Sequence, residues 1–86
     1  MTPRLSPIVN HNGTSRGDLV RQRIIASSAI AGAIDALKSM TPHGRDYPNG
    51  PDALNTDRDI HGARIGALAA LCDALIQEGL AIMGDD

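Results

Sequence analysis

The chain has 86 residues, eight basic and ten acidic side chains, a formal net charge of −2, one cysteine and one aromatic residue. That length allows a single domain, and the charge balance argues against general nucleic-acid binding, which needs a basic footprint. A lone Cys72 excludes an intrachain disulfide, no Cys/His spacing matches a zinc site, and no stretch reads as the ~18 apolar residues of a membrane span.

Residues 1–13 form an irregular arm broken by Pro3 and Pro7, with room for a short β-like segment at Ile8-Val9. The N-terminus lacks the apolar run of a secretory signal, which predicts a cytoplasmic protein. Asn12-Gly13 marks a turn. Ser15 with Asp18 has capping-box spacing and opens a first helix over 15–40. Leu19, Ala26, Ile30, Ala33, Leu37 and Met40 follow helical steps and predict its inner face, widened by Val20, Ile24, Ala31 and Ile34. Arg21, Ser28, Gly32, Asp35 and Ser39 fall opposite. Ile25 lies among them, either exposed or in a second contact.

Thr41-Pro42 ends that helix. A loop over 41–52 follows, longer than most helix–helix connections and stiffened by three prolines. The second helix spans 53–83, capped by Asp52 or by Thr56 with Asp59. His61, Ile65, Leu68, Cys72, Leu75, Gly79 and Ile82 alternate steps of four and three, the stripe of a coiled-coil-like seam. Cys72 reads as a small core residue on that stripe.

The fold class expected is all-α: an antiparallel two-helix hairpin, one domain over 1–86. Two helices leave wide apolar faces uncovered, so the hairpin is expected to assemble as a helical-bundle homo-oligomer.

Three places carry candidate chemistry. Asn12, Thr14 and Ser15 precede a helix whose free N–H groups suit an anion, although the same atoms serve as an ordinary cap. Arg45, Asp46 and Tyr47 place a cation, an anion and the only ring in one loop. There Tyr47 would stack on a planar group, Arg45 would grip phosphate or carboxylate, and Asp46 would orient either. The plain alternative is an internal Arg–Asp pair with Tyr47 folded over the helix ends. Arg58, His61 and Arg64 open the second helix beside that loop. They form either a solvated face or, with Arg45, a cationic end fit for a small phosphorylated ligand. Asp57 and His61 stand four apart, but no second carboxylate–histidine set accompanies them, so no metal or cofactor is expected. No phosphate loop, nucleophile elbow or paired-cysteine motif occurs, which argues against an enzyme.

The set Asn12-Gly13-Thr14-Ser15, Gly44-Arg45-Asp46-Tyr47 and Arg58/His61/Arg64 resembles small helical proteins encoded by bacteriophages and prophages. The resemblance spans residues 9 to 83. Some such proteins are sponges, oligomers that capture cyclic or ADP-ribose-type nucleotide signals of bacterial immunity without cleaving them. The resemblance implies ligand roles for Asn12, Thr14, Arg45, Tyr47, His61 and Arg64.

The expected function is therefore non-catalytic binding of a small anionic, nucleotide-like ligand, acting as an anti-defence sponge in the host cytoplasm. The alternative is an oligomeric module that inhibits or adapts a host protein, with Ile25 as a candidate contact. In an antiparallel hairpin Ser15 and Arg45 stand ~35 Å apart, so a shared site requires a second copy.

Overall fold

The computed structural model describes residues 2–9 and 13–84, and they form two α-helices joined by a short 3-10 turn. Helix α1 spans Arg16–Lys38 and α2 spans Pro51–Gly84, with the 3-10 turn at Gly44–Asp46. No strand occurs among the described residues, so the β-like segment considered at Ile8-Val9 is absent.

The start of α1 follows the capping rule in part. Ser15 accepts a hydrogen bond from the Asp18 N–H at 3.2 Å. The Asp18 carboxylate does not return the bond to close the box; it pairs with Arg21 at 2.8 Å. At the other end α1 stops two residues short of Met40. Ser39 Oγ donates to the Ala36 carbonyl at 2.6 Å and Thr41 Oγ1 to that of Lys38 at 2.7 Å, occupying carbonyls the helix leaves free. Met40 is consequently exposed rather than on the inner face.

α2 begins earlier than the capping signals suggested. Gly50 takes φ +120, a left-handed conformation that glycine adopts without strain, and turns the chain into Pro51 at the first helical position. Asp52 thus lies inside the first turn, and Thr56 Oγ1 donates back to the Asp52 carbonyl at 3.0 Å, an interior arrangement rather than a cap.

The helices pack side by side. Arg23 meets Glu78, Ser27 meets Cys72 and Thr41 meets His61, pairs that fall in reverse order along the two helices. The seam on α2 is the stripe read from the sequence: His61 to Leu75 are half-buried, Gly79 and Ile82 buried. On α1 the inner face includes Leu19, Val20, Ala26, Ile30, Ile34 and Leu37 as expected, but Ile24, Ala31 and Ala33 are exposed and the charged Arg23 joins the face. Residues 2–9 lie along the far side of α2, where Arg4, Leu5 and Ser6 border a hollow with Gln77, Glu78 and Ala81.

That arm and α1 together enclose a buried ion pair. Arg23 Nη2 stands 3.4 Å from Glu78 Oε1, their side chains 11% and 4% exposed. The groups face each other without an aligned hydrogen bond, so charge holds Oε1. A second anchor is the bond from Arg23 Nη1 to the Leu19 carbonyl at 3.1 Å.

The molecule measures 61 × 21 × 17 Å with a radius of gyration of 18.1 Å. A compact chain of this length would have a radius of about 12 Å. Among the described residues, Leu19, Ala74 and Ile82 are the buried hydrophobic side chains. The surface, 6249 Å², exceeds by about 1,400 Å² what a folded monomer of 9.0 kDa normally exposes. α2 is also long and apolar enough, by length and composition, to cross a bilayer, which corrects the expectation that no such stretch exists.

Candidate functional site

The connection between the helices folds down onto the first turns of α2. His43 caps the 3-10 turn, its Nδ1 accepting from the Arg45 N–H at 3.1 Å. Three side chains of α2 then pin the loop. The Tyr47 hydroxyl donates to Asp57, Arg58 Nε donates to the Pro42 carbonyl at 3.3 Å, and His61 Nε2 lies 3.4 Å from Thr41 Oγ1. Between them is a shallow concavity of about 230 Å³ lined by Met40, Pro42, Tyr47, Asp57, Ile60, His61 and Arg64.

Of the residues singled out from the sequence, Tyr47, His61 and Arg64 share this hollow. Arg64 has no hydrogen-bond or ion-pair partner among the described residues, so its guanidinium is available. Arg58 is adjacent but committed to Pro42. Arg45 and Asp46 are exposed and line no part of the hollow, and they do not pair with one another. Thr14 and Ser15 stand at the other end of α1, where Ser15 is the cap. Asn12 lies outside the described residues.

Asp57 is a lining residue of the hollow that the sequence reading did not place in the site. Its signal was present: Asp57, His61 and Arg64 stand at i, i+4 and i+7, one helical face, whereas Arg58 turns away from it. The expectation of a cationic end also fails. Lys38, Arg45, Arg58 and Arg64 are matched there by Asp46, Asp52, Asp57 and Asp59. Any pull on an anion comes from the placement of Arg64 and not from regional charge.

The phenol titrates abnormally. Its pKa is raised above 10.0, first by the hydrogen bond to Asp57, then by partial desolvation and by the charges of Asp57 and Asp46. The raised group is the neutral acid, so its contribution to stability is fully present below the unfolded value of about 10 and is lost as pH climbs through the higher folded value. Because Tyr47 is the only aromatic residue, ultraviolet titration reads it alone. The inflection is expected above that of free tyrosine and is expected to fall back in Asp57→Ala. An identical curve for both proteins would mean that the hydroxyl is not bound to Asp57.

Among the described residues no cluster of three histidine, cysteine or acidic side chains is arranged to hold a metal ion. Compared with known protein families, curated proteins and solved structures, the chain matches none.

Proposed function

We propose that the chain is a non-catalytic binding protein that folds as an antiparallel two-helix hairpin and assembles with further copies into a helical bundle. It holds a small anionic ligand carrying a planar ring where the loop meets α2. One observation carries this reading: Tyr47, His61 and the unpartnered Arg64 line a single concavity. The Tyr47 ring offers a stacking surface, Arg64 a bidentate grip on phosphate or carboxylate, and His61 a polar edge. A nucleotide combines those groups.

The hollow, about 230 Å³, is smaller than the ~300–1,000 Å³ of typical ligand sites, so one protomer supplies part of the site and a second copy closes it. With the sequence resemblance, this supports a phage anti-defence sponge that withdraws a nucleotide-type immune signal in the host cytoplasm.

Native mass spectrometry of protein purified from cells, followed by calorimetry with the ligand it retains, tests the reading. Arg64→Ala and Tyr47→Ala are each expected to weaken binding at least tenfold with the helical circular dichroism intact. Arg45→Ala should bind normally, because its side chain lies outside the hollow. Full affinity in both of the first two variants rejects the site. The second reading, a module that engages a host protein, draws on the exposed apolar residues Ile24, Ile25 and Leu80. Its mark would be a host protein retained equally by the parent chain and Arg64→Ala.

A further inference from the structure

An apolar groove of about 210 Å³ runs between α1 and α2 near the ends far from the loop, with Val20, Ile24, Ile76, Leu80 and Met83 on its walls. Arg23, the one charged residue bordering it, is already paired with Glu78. Ile24 and Leu80 are 57% and 55% exposed, so the groove stands open.

The same face changes character toward the loop. Gly62 lies about five helical turns before Leu80, and Ala69 about two before Ile76, which sets them on one side of α2. Ala31 lies about two turns after Ile24 on α1. These three residues and Gly66 are exposed, and a Cβ built on Gly62 or Gly66 would meet nothing within 4 Å. One face is therefore bulky at one end and bare at the other, with the exposed Asp73 between the two.

We propose that this face seats a second copy of the chain, laid in the reverse direction about a two-fold axis. Ile24, Ile76 and Leu80 of each copy then settle over Ala31, Ala69 and Gly62 of the other. A same-direction pairing would stack bulk on bulk and leave the bare ends apart. The excess surface of about 1,400 Å² exceeds the ~800 Å² per partner that a stable interface removes. A core this thin needs its cover whenever the chain is folded, and another copy is the partner always made in equal amount. The inference rests on the oligomeric part of the function proposed above and specifies its surface and direction. It also brings the start of α1 of one copy to the loop of the other.

The test uses the full chain without added ligand. Sedimentation velocity at micromolar concentration is expected to give twice the 9.0 kDa chain mass, and a mass of 9.0 kDa overturns the proposal. In a Cys72→Ala background, Leu80→Cys combined with Gly62→Cys is expected to form covalent dimers on mild oxidation, at least tenfold above either single variant. The two positions lie about 27 Å apart within one chain, too far to close internally. Efficient cross-linking by Leu80→Cys alone overturns the reversed direction. Gly66→Leu, at an exposed position where an added Cβ meets nothing in the single chain, is expected to raise the dimer dissociation constant at least tenfold, and an unchanged constant overturns the face. Arg64→Ala should remain dimeric. A dimeric parent that binds no ligand defeats only the ligand reading, and a monomeric parent that still binds ligand defeats this inference and the oligomeric part of that reading while sparing the ligand.

Discussion

Arg23→Ala is expected to reduce the free energy of unfolding by about 3–5 kcal/mol, the usual cost of leaving a buried charge without its partner. Glu78 is the charge left behind. At 4% exposure its carboxylate lies between α1 and the arm, with Arg23 as its counter-ion. The reverse change, Glu78→Ala, should cost less, because Arg23 keeps its bond to the Leu19 carbonyl and has a long stem that lets its charge reach water. Replacing both, Arg23→Met with Glu78→Leu, is expected to be neutral or stabilising, since the double change removes the desolvation penalty together with the attraction. Urea denaturation followed by circular dichroism, run as a double-mutant cycle, measures all three. A loss under 1 kcal/mol in Arg23→Ala would show that water already reaches the carboxylate. Total stabilities of small domains are only ~5–15 kcal/mol, so the single variant is expected to be partly unfolded at ambient temperature.

Ile82→Ala is the second large effect. Ile82 is 5% exposed near the end of α2 and borders the hollow shared with Leu5, Ser6 and Pro7. Core Ile→Ala changes cost about 2–5 kcal/mol, and this site should fall near the lower end, because an open hollow beside it lets the arm settle inward. Met83→Ala, one residue along and 59% exposed, serves as the contrast. Its effect on a single chain should stay within about 0.5 kcal/mol. Any larger loss should vanish on dilution, as expected when the side chain is covered by another copy. Equal, concentration-independent losses in both variants would show that the arm contributes no packing.

The helices were the most legible part of the chain. The stripe from His61 to Ile82 is inward along its length because α2 has a partner on one side for most of that length, which is the condition under which periodicity reports burial. On α1 the apolar pattern left Arg23 unassigned. Hydrophobic periodicity treats a guanidinium as solvent-facing and has no means of registering a counter-ion from the other helix. It also extended α1 to Met40, although the Ser39 and Thr41 hydroxyls had already taken up the last carbonyls.

The site was legible by residue type but not by arrangement. Tyr47, His61 and Arg64 come together because the loop lies down on α2, a fold governed by Gly50, Pro51 and the His43 cap rather than by any repeat. Arg45 adjoins Tyr47 in sequence yet leaves the hollow, because the intervening 3-10 turn rotates neighbours apart. Asp57 was overlooked as a partner for Tyr47 since their link spans ten positions and crosses from loop to helix.

The arm has a consequence for synthesis. Residues 4–6 come to rest beside residues 77–81, among the most distant neighbours in the chain. The first of these segments leaves the ribosome long before the second exists. During translation the stretch holding Leu5 and Ile8 has nothing to lie on, and Glu78 gains its cover only when both segments are free. Docking of the arm is therefore a late, long-range closure, slow relative to helix formation.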